Sequence, residues 1–318
     1  MKLVRQSLVR DASLVLSIDE RLVEAASQWM PSLPTTIESE HPPGAAVLID
    51  VGSAARLPRF AHGKPDLRLG SVDCWTETGT DRAFVQNDDR TITAVIYLEH
   101  RVARVVASNG SVDMRDMTSV LTLVSALLLV RDGRTPIHAA GVVRPQTSDV
   151  YLLLGDSHSG KSTTTANLVK AGWSYLSDDY VVIRQIGSAI EAEGWPEDFH
   201  VDEGWGRGES TGLRTTLPES SLRDNSRKDC GILSGLIFTR IVADGPTAIE
   251  RIDASSALER LIRQTPWLMA DPASAPRLLD LLSAASSLPA GEIRLGLDSY
   301  RDAALLAHVV SEFVDRSD

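Results

Sequence analysis

The stretch from Leu152 to Ile183, LLLGDSHSGKSTTTANLVKAGWSYLSDDYVVI, decides the fold of its surroundings. It begins with an apolar run that predicts a buried strand, passes through a glycine-bearing loop, and continues as a helix from about Lys161 to Ala171. A second strand pattern then surrounds the adjacent residues Asp178 and Asp179. The order strand, loop, helix, strand predicts an α/β sheet that carries its ligand loops at one edge.

The loop itself matches the pattern G-x-x-x-x-G-K-[ST] in full. Its glycines allow the backbone to curl so that N–H groups point at phosphate oxygens, and the following helix adds the positive end of its dipole. Lys161 supplies charge for the outer phosphates, and the Ser162 hydroxyl is suited to Mg²⁺. We therefore predict that a nucleotide binds at Gly155, Asp156, Ser157, His158, Ser159, Gly160, Lys161, Ser162 and Thr163.

The two aspartates follow Lys161 by only 17 and 18 residues. Both ends of such a strand–loop–helix–strand unit meet at the carboxyl edge of the sheet. Adjacent strand residues point to opposite faces, so one carboxylate can face a metal and phosphates while the other faces elsewhere. A phosphoryl-transfer site needs a metal ligand and a group that accepts the proton of the nucleophile. Asp178 and Asp179 are candidates for these two roles, the alternative being that they only cap a turn.

Composition and charge restrict the class of protein. The chain has 318 residues, of which 43% are hydrophobic and 24% charged, as in soluble globular proteins. Its net charge of −11 argues against a duplex nucleic-acid partner. The apolar run Val120–Val130 is too short to span a bilayer and predicts a buried helix, and the charged N-terminus does not resemble a signal peptide. Two cysteines, Cys74 and Cys230, fit a reducing compartment, so we expect a cytoplasmic protein with no membrane partner.

The chain divides by pattern into two parts. Residues 1–115 show β-type segments, including AAVLIDVGS and RTITAVIYLEHRVARVVAS, and predict an α+β accessory region. Residues 116–318 predict the phosphate-loop domain, with a helix at Met117–Val130, a strand at Ile137–Val143 and a last helix from about Asp302 to Phe313. The segment GWPEDFHVDEGWGRGESTG is rich in glycine and acidic residues and is interpreted as an active-site loop.

A second group of polar and aromatic residues has weaker signals. A histidine and three nearby carboxylates have irregular spacing for a metal site, so a solvated loop is the favoured interpretation (His200, Asp198, Asp202, Glu203). Several basic residues are candidates for contacts with a phosphoryl group or an acidic acceptor (Arg207, Arg223, Arg227, Lys228). Two tryptophans near glycine turns are candidates for an acceptor pocket, with packing as the favoured interpretation (Trp195, Trp205).

Together these residues resemble the HPr kinase/phosphorylase family and, more distantly, the phosphoenolpyruvate carboxykinases. The resemblance rests on His138 in IHAAGVV, the loop GDSHSGKST and the strand AGWSYLSDDYVVI, in that order over about Pro136–Ile183. It implies an α/β fold with a mixed β-sheet, the phosphate loop at its centre and an N-terminal accessory region.

The resemblance also implies an activity. It predicts a kinase that uses ATP and Mg²⁺ to phosphorylate a hydroxyl, such as the serine of a protein or peptide, and that assembles as a homo-oligomer. Lys161, His138 and Asp178 are then catalytic, with Asp178 as the base, while Ser162 and Asp179 bind the metal; the two aspartates remain interchangeable. GWGRGESTGL stands where the bifunctional enzymes carry text like RGLGI, which favours a different acceptor. The alternatives are an ATP-binding switch without transfer and a carboxykinase-like enzyme.

Overall fold

The computed structural model describes residues 2–9, 12–18, 45–51, 57, 63–77, 79–108, 113–195, 199–203, 214–217 and 226–316. The chain forms two compact units. The first comprises Met1–Thr135 with Pro266–Leu278, and the second comprises Pro136–Thr265 with Leu279–Asp318. The sequence pattern had suggested one change of region near residue 115, whereas the units are divided at Thr135 and one later segment belongs to the first unit.

The bounds of the elements follow in chain order. The strands are β1 (Lys2–Val9), β2 (Ala12–Ile18), β3 (Ala45–Val51), β4 (Leu67–Leu69), β5 (Val72–Thr76), β6 (Arg82–Asn87), β7 (Ile92–Tyr97), β8 (Val102–Ala107), β9 (Arg134–Val143), β10 (Asp149–Leu154), β11 (Ser174–Ser177), β12 (Tyr180–Ile186), β13 (Ala189–Gly194), β14 (Phe199–Asp202), β15 (Arg214–Leu217), β16 (Cys230–Ile241), β17 (Ala248–Arg251) and β18 (Ala290–Leu295). The helices are α1 (Met114–Arg131), α2 (Lys161–Lys170), α3 (Ala254–Arg263), α4 (Trp267–Ala270), α5 (Ala275–Ser286), α6 (Leu297–Arg301) and α7 (Ala303–Asp315).

The first unit is built on a sheet of order β1-β2-β3-β8-β7-β6-β5-β4. Helix α1 packs against β5, β6 and β7, and its start is capped by Asp113, whose side chain accepts from the backbone N–H of Arg115 at 2.8 Å. The run Val120–Val130 is buried almost throughout, which confirms the buried helix that the sequence predicted. None of the helices in the described part combines the length and apolar character that crossing a bilayer requires.

The second unit is built on a mixed sheet of order β10-β9-β12-β13-β16-β18-β17. Strand β10 pairs antiparallel with β9 on one side and parallel with β16 on the other, so the strand that leads into the phosphate loop has a neighbour on both sides. Because β16 pairs with β10 and also with β13, the strands β10, β9, β12, β13 and β16 close into a ring.

Helices cover both faces of β10. Its residues Val150, Leu152 and Leu154 belong to the core cluster that includes α3 and α5, whereas Tyr151 and Leu153 belong to the cluster that includes α2 and α7. A strand that is buried on both faces needs apolar side chains at successive positions, which is the reason for the run VYLLL. The chain is therefore mixed α/β here, as the sequence predicted.

Two expectations about single elements need correction. The pattern WSYLSDDYVVI forms two strands, β11 and β12, which both pair with β9 and are interrupted at Asp178 and Asp179. Part of the expected glycine-rich loop is a ribbon in which β14 pairs antiparallel with β15. The cause lies in its apolar residues Phe199 and Val201, which alternate with polar ones and are buried against α2 and Tyr175.

Candidate functional site

The loop with the motif G-x-x-x-x-G-K-[ST], which we call the phosphate loop after its predicted role, joins β10 to α2 in the expected strand–loop–helix order. Gly155 and Gly160 have φ angles of 150° and 98°, which side-chain-bearing residues rarely adopt. A Cβ on Gly160 would lie 2.7 Å from Leu295 Cδ1, and one on Gly155 would lie 2.9 Å from the carbonyl oxygen of Thr239. Both glycines of the motif are thus required by backbone angle and by space.

A buried threonine on a neighbouring strand connects the loop to the sheet by hydrogen bonds. Thr239 lies on β16, and its hydroxyl donates to the carbonyl oxygen of Leu154 at 3.1 Å. Since its single proton is used in this way, the Thr239 hydroxyl accepts from Ser159 Oγ at 2.8 Å. The sequence reasoning did not identify Thr239, because nothing local to ILSGLIFTRI links it to the loop. Ser159 therefore holds the loop to the sheet.

Lys161 is buried at the first position of α2 and reaches back across the loop. Its Nζ donates to the carbonyl oxygens of Gly155 at 2.7 Å and Asp156 at 3.2 Å. The ammonium group is therefore held inside the curve of the loop, where the phosphates of a nucleotide would need a cation.

The two adjacent aspartates have different environments. Asp178 is only 1% exposed, and its Oδ2 accepts from the backbone N–H of His200 at 3.0 Å. The side chain of Asp179 is 34% exposed and lines the cavity beside the loop. The prediction that the two carboxylates face different ways therefore agrees with the structure, and Asp179 is the one that faces the space next to Lys161.

His138 connects Asp179 to a residue far away in the chain. Its Nε2 lies 3.1 Å from Asp179 Oδ1, and its Nδ1 lies 3.0 Å from Oε1 of Gln264, the residue that follows α3. The backbone N–H of His138 also donates to the carbonyl oxygen of Gln264 at 3.0 Å. The ring is fixed at both nitrogens, so its orientation toward Asp179 is set by Gln264. No pattern in the sequence joins these two residues, which are 126 positions apart.

A cavity of about 360 Å³ brings these groups together. Most of the predicted loop residues line it, namely Ser157, His158, Gly160, Lys161, Ser162 and Thr163. Gly155, Asp156 and Ser159 shape the loop without being among the lining residues. The cavity also receives His138 and Asp179, while Asp178 is not among its lining residues. One space therefore joins the phosphate loop to a histidine–carboxylate pair.

The remaining candidate residues from the sequence differ in whether they line this cavity. His200 and Asp202 on β14 line the cavity, whereas Glu203 is exposed outside its lining. Trp195 is buried, and the centroid of its ring lies 6.1 Å from that of Tyr180, so Trp195 has a packing role. Arg227 Nη2 donates to the carbonyl oxygen of Trp195 at 3.4 Å, and Lys228 is exposed. Four candidates lie outside the described residues (Asp198, Trp205, Arg207, Arg223).

Comparison with known proteins gives distant likenesses among solved structures. No family model matches the chain, and no curated protein matches it. Among solved structures, the Hpr(Ser) kinase/phosphatase from Coxiella burnetii is similar to 57% of this chain and 95% of its own length, at 11% identity and a TM-score of 0.32. At this TM-score the chemistry of the site has to be argued from its own residues.

Proposed function

We propose that the second unit is a nucleotide-dependent kinase that transfers the γ-phosphoryl group of ATP to a hydroxyl group. The observation that carries the proposal is the shared cavity, in which the loop with Lys161 faces the pair His138–Asp179. Transfer of a phosphoryl group requires a cradle for the phosphates and a carboxylate that receives the proton of the attacking hydroxyl. Both are present within one space of about 360 Å³.

In this proposal the base is Asp179, in place of Asp178. Asp178 is buried and bonded to the backbone of His200, so an acceptor hydroxyl has no access to it from the cavity. The Asp179 carboxylate lies beside His138 Nε2 and its residue lines the cavity, so it is the carboxylate that we assign to receive the proton of the hydroxyl. His138 then orients the carboxylate. As the hydroxyl attacks the γ-phosphorus, the bond to the β,γ-bridging oxygen breaks and ADP leaves.

The cavity also has the oxygen donors that suit Mg²⁺. Ser162 and Asp202 are both among the residues that line it, and Mg²⁺ in nucleotide sites is bound by one or two carboxylates together with phosphate oxygens and water. In the described part of the chain no group of three or more His, Cys, Asp or Glu is placed to hold a metal by itself. Ser162 and Asp202 would hold the Mg²⁺ ion, and the ion would neutralise part of the negative charge of the phosphates.

In this proposal Lys161 binds the phosphate oxygens of the nucleotide. Its Nζ now donates to two loop carbonyl oxygens, and a nucleotide would offer phosphate oxygens at the same place. In these contacts both partners carry charge, so they are stronger than the bonds from the ammonium group to neutral carbonyl oxygens that they replace. We expect Lys161→Ala to remove tight nucleotide binding without unfolding the unit, because the carbonyl oxygens at the loop would be hydrated.

The test of the proposal is transfer of label. The purified protein is incubated with γ-labelled ATP and Mg²⁺ and with pools of hydroxyl-bearing peptides, proteins and metabolites, and Lys161→Ala serves as control. The proposal predicts label on a hydroxyl of one acceptor, at least about a hundredfold less in the variant. Tight ATP binding without a labelled product from any pool would favour the non-catalytic switch.

A further inference from the structure

Asp178 is a buried carboxylate that the proposed mechanism does not use. It lies between the end of β11 at Ser177 and the start of β12 at Tyr180, and it is only 1% exposed. Burying a charged group costs free energy unless hydrogen bonds compensate for the lost hydration. One such bond comes from a distant strand, because the backbone N–H of His200 donates to Asp178 Oδ2 at 3.0 Å. The break between β11 and β12 is therefore connected to β14.

The strand that Asp178 contacts is not part of the main sheet of the second unit. Among the described residues, β14 pairs only with β15, and the two form a separate two-stranded sheet. A two-stranded ribbon is marginally stable by itself, so its position depends on contacts with the rest of the unit. Phe199 and Val201 provide apolar contacts with α2 and Tyr175. These contacts keep the ribbon against the helix, but apolar packing is not directional and does not by itself fix the ribbon along its length.

Strand pairing shows on which side of β14 Asp178 lies. Residues of an antiparallel pair alternate between those whose N–H groups point to the partner strand and those whose N–H groups point away from it. His200 lies opposite Thr216 of β15, yet its N–H is bonded to Asp178. This N–H therefore points away from β15, and Asp178 lies at the other edge of β14. The strand is held at both edges, by β15 and by Asp178.

The position of β14 decides which of its polar side chains reach the cavity. His200 and Asp202 are two positions apart, so they lie on one face of the strand, and both line the cavity. A shift of one position along a strand is about 3.3 Å and moves every side chain to the opposite face. A Mg²⁺ ligand has to lie about 2.0–2.1 Å from the ion. The bond to Asp178 is thus placed to keep Asp202 in register with the site.

We infer that Asp178 is a positioning residue, which holds β14 by the backbone N–H of His200 so that Asp202 is placed for Mg²⁺. The inference rests on the proposed kinase function and adds to it a role for the other aspartate of the adjacent pair. Asp179 receives the proton of the acceptor hydroxyl, whereas Asp178 acts through the strand that carries the metal ligand. The adjacent aspartates thus serve two different walls of one cavity.

Calorimetric titration with the β,γ-imido analogue of ATP tests the inference, because it measures nucleotide binding without transfer. Each protein is titrated once with Mg²⁺ and once with EDTA, and the ratio of the two affinities is called the Mg²⁺ enhancement. The variants are Asp178→Ala, Asp178→Asn and Asp202→Asn, together with the double variant that combines Asp178→Ala and Asp202→Asn. The matched control is Asp253→Ala, which also removes a carboxylate that accepts from a backbone N–H, that of Ser256, but lies outside the cavity.

We expect a Mg²⁺ enhancement of at least about tenfold in the wild type, and of less than about threefold in Asp202→Asn and in Asp178→Ala. The affinity in EDTA should change by less than about twofold in both variants, because the phosphate loop is unchanged. Asp178→Asn keeps an oxygen that can accept from His200 and should retain an enhancement of at least about fivefold. The double variant should lose no more than Asp202→Asn alone, since Asp178 acts through Asp202. Asp253→Ala should match the wild type.

A second pair of variants removes the donor of the same hydrogen bond and decides the matter if Asp178→Ala does not fold. His200→Pro lacks the backbone N–H, whereas His200→Ala keeps it and removes the same side chain. Proline is tolerated where an N–H points away from the partner strand, so the pairing with β15 is preserved. The Mg²⁺ enhancement should be lost in His200→Pro and largely kept in His200→Ala. Circular dichroism checks that each protein is folded.

The outcomes that overturn the inference differ from those that overturn the kinase proposal. A full Mg²⁺ enhancement in Asp178→Ala, His200→Pro or Asp202→Asn, or none in the wild type, would contradict the inference and leave the kinase proposal standing. Equal weakening with Mg²⁺ and with EDTA in Asp178→Ala would mean that Asp178 only supports the fold. An enhancement lost as fully in Asp178→Asn as in Asp178→Ala would mean that the charge matters and the hydrogen bond does not. Absence of analogue binding to the wild type in both conditions would overturn the kinase proposal and the inference together.

Discussion

The cavity beside the phosphate loop has a polar flank with His138 and Asp179 and an apolar flank with Ile241 and Leu297. The two flanks differ in how their side chains are held. On the polar flank, His138 and Asp179 are bonded to each other, and Gln264 fixes the far side of the ring. On the apolar flank, the side chains of Ile241 and Leu297 project into solvent, while the backbone behind them is tied by hydrogen bonds. The comparison teaches that the polar side chains are oriented by hydrogen bonds, as the proposed proton transfer requires, whereas the apolar side chains offer exposed surface.

The largest effect is expected from the adjacent aspartates, which form a matched pair of test positions. Asp179→Asn removes the proton acceptor in the cavity, so kcat should fall by about a thousandfold. Asp178→Asn keeps an oxygen that can accept from the backbone N–H of His200. The decrease in kcat in this variant should therefore be at least about tenfold smaller than in Asp179→Asn. Steady-state kinetics of both variants checks this. A greater loss in Asp178→Asn would return the base role to Asp178, as the sequence had suggested.

A smaller effect is expected on the same flank from Gln264. Gln264→Leu leaves His138 Nδ1 without its partner, so the ring no longer presents Nε2 to Asp179 in one orientation. We expect kcat to fall by about tenfold, with the KM for ATP nearly unchanged and an altered pH dependence of kcat. Gln264→Glu serves as the second variant, because its carboxylate keeps an acceptor at Nδ1 and should restore part of kcat. A lowered melting temperature with an unchanged pH profile in Gln264→Leu would mean that Gln264 is only structural.

The smallest effect is expected at Asp298, which follows Leu297 in α6. The hydroxyl and backbone N–H of Thr247 donate to this carboxylate and lower its pKa from the usual 3.8. Because the pKa is lower in the folded state, this contribution to stability is present above about pH 4 and is lost as the pH falls through the folded-state pKa. The contribution of these contacts to the free energy of unfolding should be no more than about 1 kcal/mol, because the Asp298 carboxylate is accessible to solvent.

Acid unfolding of Asp298→Asn checks this expectation. The variant should be less stable than the wild type at neutral pH by this small amount, and the difference should shrink as the pH approaches 3. A difference that grows on acidification would contradict the role of the Thr247 contacts.

The sequence predicted the local parts of the site well. The continuous apolar run of β10, the glycines of the loop and the start of α2 at Lys161 are determined by neighbours in the chain, and the structure has all three. The buried helix of the first unit and the strands β7 and β8 were predictable for the same reason.

The parts that the sequence left open depend on pairing between distant segments. Which aspartate faces the cavity follows from the interruption between β11 and β12 where they pair with β9, and a list of residue types does not contain this. Gln264 reaches His138 only because the end of α3 lies beside the start of β9. The apolar lining of the cavity includes Ile241 at the end of β16 and Leu297 at the start of α6, two exposed residues that have no functional signal in the sequence.

The most direct test of this account is a crystal structure of the protein with Mg²⁺ and the β,γ-imido analogue of ATP. The account predicts that the γ-phosphoryl group lies against Lys161 on the side of His138 and Asp179, with the base and ribose over Ile241 and Leu297. A nucleotide bound in the opposite direction, with its base beside Asp179, would contradict the account.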